Sequence, residues 1–231
     1  MKKLSKKKII FTIIFTLLGF FALQIPFTNI VGSNTNFTLF DFFAPIAGGF
    51  LGGIIGVISV LIMQIGNWLI HGAQLEVVAL IRLFPVLFAV WYFSSSAKSR
   101  YSIFLPLLCI AMFLIHPIGR LTLPYPLYWL IPVTMYFFKE RSLLAKAIGA
   151  TFMAHAVGSV TWLYAFNLPK EVWLGLIPVV ALERGVFAIG IAAAYIIFVN
   201  LLDAITRFSK IDLSFVGLNR KLLLSNYLVK K

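Results

Sequence analysis

The chain has 231 residues and a net charge of +13, yet only 12% of it is charged, 61% is hydrophobic, and its mean hydropathy is +0.99. A soluble domain carries about 25% charged residues, so this composition excludes a water-soluble enzyme and points to a protein solvated by a bilayer. The basic residues sit in short segments between long apolar runs, a pattern of membrane anchoring rather than nucleic-acid binding.

The lysines of Met1–Lys8 and the apolar stretch Ile9–Leu23 resemble the first two regions of a signal peptide. However, Gln24, Ile25 and Pro26 follow where small residues would mark cleavage. The segment is therefore read as the first membrane helix, over 9–31. The loop from Gly32 to Asp41 carries Asn34, Thr35, Asn36 and Thr38 and no basic residue. Apolar runs then occupy 42–70, 76–94, 101–117, 125–138, 143–166 and 172–204.

Seven crossings would place the later basic loops on the opposite side from the N-terminal lysines. If 42–70 is instead a hairpin of two short helices, sixteen Lys and Arg residues fall on the cytoplasmic side and only Arg120 and Lys170 outside. Gly48, Gly49, Gly52, Gly53 and Gly56 cluster where that turn must fall. One long tilted helix, packed through Gly48, Gly52 and Gly56, is the alternative. The hairpin reading predicts an all-α, polytopic bundle of eight helices: 9–31, 42–54, 56–70, 76–94, 101–117, 125–138, 143–166 and 172–204. It forms a single transmembrane domain over 1–204, in the cell membrane, with both termini cytoplasmic. Residues 205–231 follow as a basic tail, and Arg207–Lys231 reads as an amphipathic helix on anionic membrane lipids.

Arg, Glu and His are costly inside a span and tend to face an interior. Arg82, His155, Glu183 and Arg184, with the milder Gln64 and Asn67, all fall in the outer half or near the midplane of their helices. That is the arrangement of an outward-opening pocket rather than a continuous pore. With Asn36 of the outer loop, they form the candidate substrate-binding set. Adjacent on a helix, Glu183 and Arg184 point about 100° apart, so each is expected to find its own partner. An interhelical ion-pair network that only fixes packing is the alternative. His155 sits in a small-residue stripe, Ala150, Ala154 and Gly158, that also reads as helix packing. Trp162, Tyr164 and Trp173 read as interfacial anchors. The single cysteine, Cys109, excludes an intrachain disulfide and a Cys-based metal site. No HExxH, GxSxG or P-loop motif is present, and no catalytic residue, metal site or cofactor is assigned.

The segment from Phe40 to Gly56, with Asp41, Pro45, Gly48, Gly49, Gly52 and Gly53, resembles the paired short helices of the substrate-capture (S) components of energy-coupling-factor transporters. Gly53 stands where that family's turn proline would. Ala147–Phe166, followed by a short loop and Pro178 in the last helix, is similar to the family's final two helices, with Glu183 and Arg184 just after the proline. The resemblance covers about 9–94 and 143–204. It implies a six-helix core into which 101–138 is an inserted helical hairpin. It further implies a subunit that captures a small vitamin-like molecule for uptake, driven by a separate membrane coupling protein and ATPase subunits. On the docking face of the first helix only Thr12 and Thr16 match the family's small-residue spacing. An intramembrane enzyme using His155 and Glu183 on a lipid or isoprenoid, or a purely structural membrane subunit, are the competing readings.

Overall fold

The computed structural model describes residues 5–29, 36–73, 76–96, 99–209, 213–216 and 219–224. Helix α1 (Lys6–Ala22) begins where the Ser5 hydroxyl accepts the Lys8 amide N–H. It is shorter than the expected 9–31: Pro26–Asn29 forms strand β1, antiparallel to β2 (Asn36–Thr38). Pro26 has no N–H to continue a helix, and Phe27 and Thr28 favour extended backbone.

The glycine-rich run doubles back. Helix α2 (Phe40–Phe50) stops at Leu51, and Gly52 turns the chain into α3 (Gly53–Ile70). Gly52 has φ +85° and ψ 172°, a conformation open essentially to glycine alone. The close approach of the Gly56 backbone to that of Ala47 locks the two arms together. The arms are unequal, however. Helix α3 has 18 residues, not half a span, and is about 27 Å long.

Helix α4 (Val77–Ser94) kinks before Pro85. The Leu87 N–H bonds Phe84 O, and the freed Leu83 carbonyl instead accepts the Gln64 side-chain amide at 2.8 Å. The segment 101–138 contains α5 (Tyr101–Ile115) and α6 (Leu130–Tyr136), with a 3-10 turn over Tyr125–Trp129. The expected helix 125–138 is therefore shorter, because Pro124 and Pro126 hold its start in the tighter turn. Helix α7 (Leu143–Phe166) is capped by the Ser142 hydroxyl accepting Ala145 N–H, and Asn167 ends it in the left-handed region. Helix α8 (Lys170–Ser209) is one helix of 40 residues.

Helices α3, α4, α7 and α8 are each long and apolar enough to cross a membrane. Of the apolar window of α7, 61% is buried, against 22–28% for the other three, so α7 is the central helix. On one side it meets a core of Phe15, Phe50, Val90, Phe93 and Phe198 contributed by the other long elements. On the other it meets Phe113, Tyr125, Trp129 and Trp173, which anchor the segment 101–138.

Two basic segments depart from the expected anchoring role. The described parts of the tail, 213–216 and 219–224, fold into 3-10 turns and pack on the bundle rather than lying on lipid as a helix. Val216 and Leu223 are buried, and the Phe215 ring lies 5.8 Å from that of Phe11. Asn200 clamps the segment, donating to Leu222 O and accepting the Leu224 N–H at 2.8 Å. Residues 210–212, 217–218 and 225–231 of the tail lie outside the described residues.

Lys139, in the turn between α6 and α7, is 3% exposed rather than solvated. Its Nζ donates to Ser95 Oγ at 2.7 Å and Ser102 Oγ at 3.0 Å, beneath the Tyr92 ring. Burial and, to a lesser extent, the Lys146 charge lower its pKa to about 8, with Glu140 partly offsetting them. Because the folded value lies below the unfolded one, this group's contribution is favourable above about pH 10.5 and is lost as pH falls through 8. Ser95 can still donate to Tyr92 O, and Ser102 to Ser95, when the lysine is gone. Lys139→Met is therefore expected to raise the melting temperature at pH 7 by about 2–4 °C and to flatten its rise between pH 7 and 10. Circular-dichroism melts at both pH values check this.

Candidate functional site

A cavity of about 890 Å³ lies at one end of the bundle, where α1 and α3 finish and α4 and α8 begin. The Gly52 turn, the Ser94 end of α4 and the buried Lys139 are at the opposite end. Gln64, Asn67, Arg82, His155, Glu183 and Arg184 all line this one chamber, brought from α3, α4, α7 and α8. Asn36 lies in β2 opposite Asn29, and its side chain is outside the described residues. Among the described residues no cluster of His, Cys, Asp and Glu is arranged to hold a metal ion.

Glu183 and Arg184 are not independently partnered, as their helical spacing suggested. Both side chains reach far enough to meet, Arg184 Nη2 to Glu183 Oε2 at 3.5 Å, and both are largely buried. Arg184 Nη1 also reaches Thr151 Oγ1 at 3.4 Å. The guanidinium lies 4.4 Å from the Phe187 ring centre and 5.5 Å from that of Phe37, and its Nε–H is buried without a partner. A guanidinium has five donors, and those of Arg184 that are paired are paired at the outer limit of hydrogen bonding.

His155 is held by neutral groups. Its Nδ1 accepts from Trp129 Nε1 at 3.1 Å, and Nε2 faces Tyr125 Oη at 3.0 Å and Ser159 Oγ at 3.3 Å. An indole N–H can only donate, so Nδ1 carries the lone pair and the neutral ring carries its proton on Nε2. That proton goes to one of the two hydroxyls, which are themselves 3.1 Å apart. Nε2 cannot accept in return, so within this triangle one hydroxyl proton is left over, and both hydroxyl residues line the cavity. Trp129 thus sets the polarity of the network.

Other groups on the cavity wall already have structural bonds. Asn67 Oδ1 accepts from Gln24 at 2.8 Å, and Gln64 holds the α4 kink. Trp173, expected as an interfacial anchor, is instead 2% exposed in the second core, and both it and Trp162 border the cavity. Tyr164 stays half exposed, its hydroxyl donating to Met112 O. In the small-residue stripe, Ala150 is packed away while Ala154 and Gly158 line the chamber and make room for it.

Several polar lining residues were not among the sequence candidates, among them Asp41, Tyr125, Thr151 and Ser159. Asp41, at the start of α2, accepts the Thr38 N–H at 2.8 Å and so ties the β-ribbon to the cavity rim. It is the first acidic residue of the chain and opens an apolar run, a signal that could have found it. Thr151 and Ser159 flank His155 at four-residue spacing on the same face of α7, a placement that follows once His155 is known to face inward.

The fold and the cavity define a membrane protein whose helices enclose a ligand-sized chamber with charged and aromatic walls. No family model, curated protein or solved structure matches the chain.

Proposed function

We propose that the chain is an integral membrane substrate-capture subunit for a small vitamin-like organic molecule, energised by a separate coupling protein and ATPases. The observation that carries the reading is the chamber of about 890 Å³, into which six polar residues scattered from Gln64 to Arg184 converge from four helices. Ligand sites of this kind are concave, mostly apolar, of roughly 300–1,000 Å³, with a few placed polar groups. His155 faces hydroxyls and an indole rather than Glu183, which supports binding over acid–base catalysis by that pair.

In this reading the chain is multi-pass with both termini cytoplasmic, which the sixteen-to-two division of basic residues supports. The cavity then opens outward and the Gly52 turn lies inside. Ile54, 67% exposed beside that turn, offers a labelling position, since the only native thiol, Cys109, is buried. Ile54→Cys should react with an impermeant maleimide in inside-out vesicles only. Native mass spectrometry of the gently solubilised protein tests the function itself. A stoichiometric small organic molecule should be released from the wild type and lost when Glu183 and Arg184 are both replaced. A wild type that carries nothing and takes up nothing from a cell extract would overturn the reading.

A further inference from the structure

Within the capture reading, the chemistry of the ligand follows from how Glu183 and Arg184 sit together. A carboxylate acceptor and a guanidinium donor stand side by side on the cavity wall, 3.5 Å apart and with side chains only 12–19% exposed. Their mutual contact is too long to saturate either partner: the carboxylate has about four acceptor sites and the guanidinium five donors. The pair therefore presents an unfilled acceptor next to an unfilled donor. The guanidinium lies 4.4 Å from the Phe187 ring centre, and Phe37 and Phe187 line the cavity beside it.

Charge narrows the class further. Five charged side chains line the cavity: Glu171 is exposed to solvent, while the less exposed Asp41 and Glu183 balance Arg82 and Arg184. A ligand with a net charge would leave an uncompensated ion in the chamber, which is unfavourable where water is excluded. A neutral group offering both a donor and an acceptor on one edge meets the pair without disturbing that balance.

We propose that the cavity takes an uncharged planar nitrogen heterocycle through a lactam edge, its ring N–H donating to the Glu183 carboxylate and its adjacent carbonyl accepting from Arg184. The chamber, about 890 Å³, leaves room for a fused ring system and a substituent beyond that edge.

Equilibrium dialysis of the full chain in lipid nanodiscs, against lumazine as the lactam probe, tests this. The controls are 1,3-dimethyllumazine, which keeps the ring and carbonyls but has no N–H, the anion 2-naphthoate and the cation 2-naphthylmethylammonium. Lumazine is expected to bind at least about tenfold more tightly than each control. Glu183→Gln, which keeps shape but loses the charged acceptor, should erase most of that preference while its melting curve shows that it remains folded. Equal binding of lumazine and its dimethyl derivative, or an unchanged preference in Glu183→Gln, overturns the lactam edge. Tighter binding of the naphthoate or the ammonium probe also overturns it but leaves capture of a small molecule standing. If no probe binds, the lactam edge falls, and release of a ligand in native mass spectrometry decides the capture reading separately.

Discussion

Glu183→Leu will destabilise the bundle by about 3 kcal/mol, and adding Arg184→Met will recover most of the loss. The single change leaves the Arg184 guanidinium largely buried with Thr151 as a long-range neutral partner, and its Nε–H is already unpaired. Arginine cannot escape by losing its proton. Removing both charges exchanges an ion pair for apolar packing against Phe37 and Phe187, a trade that is often neutral or stabilising. Thermal melts of the two variants in nanodiscs check the order. A double variant as unstable as the single would show that the pair holds the helices together, and the binding role assigned to it would lose its main support. A tolerated double variant that no longer retains ligand is the expected result.

Gly48→Val is expected to cost more than about 3 kcal/mol and to disturb the packing of the re-entrant arm on α4. A Cβ at position 48 would collide with the Val90 carbonyl oxygen and crowd the backbone of Ser94, neither of which can move without shifting α4. Gly52 makes a contrast. A Cβ there meets nothing within 4 Å, so Gly52→Ala carries only the backbone strain of φ +85° and ψ 172°, about 1–3 kcal/mol. Gly185, on α8 with open space around it, should accept alanine at no cost, because a helical glycine is entropically unfavourable. Melting temperatures in the order Gly185→Ala, Gly52→Ala, Gly48→Val, from highest to lowest, would verify the account. A Gly48→Val protein as stable as wild type would refute the close approach of α2 and α4.

The re-entrant turn was legible because two independent signals met there, a glycine cluster and the sidedness of the lysines and arginines. The charged lining was legible for a similar reason: Arg82, Glu183 and Arg184 stand out against apolar neighbours. What did not stand out were the neutral partners. Tyr125 and Ser159 carry no charge and are common near membrane interfaces, so their convergence on His155 is set by tertiary packing alone. The β-ribbon was missed because strands of four and three residues are too short to show alternation, and β1 continues the apolar pattern of α1. The tail misled by its composition. Leu213 and Phe215 read as part of a lipid-facing surface, but with Leu223 they serve the protein's own core beside Phe11, held there by Asn200.

Helix α8 is 40 residues long, about 60 Å, and carries both the cavity-lining Glu183–Arg184 pair in its first half and the Asn200 clamp towards its other end. A stiff rod of that length acts as a lever. A tilt of about 5° around its cavity end would sweep the Ser209 end sideways by roughly 5 Å, carrying the docked tail with it.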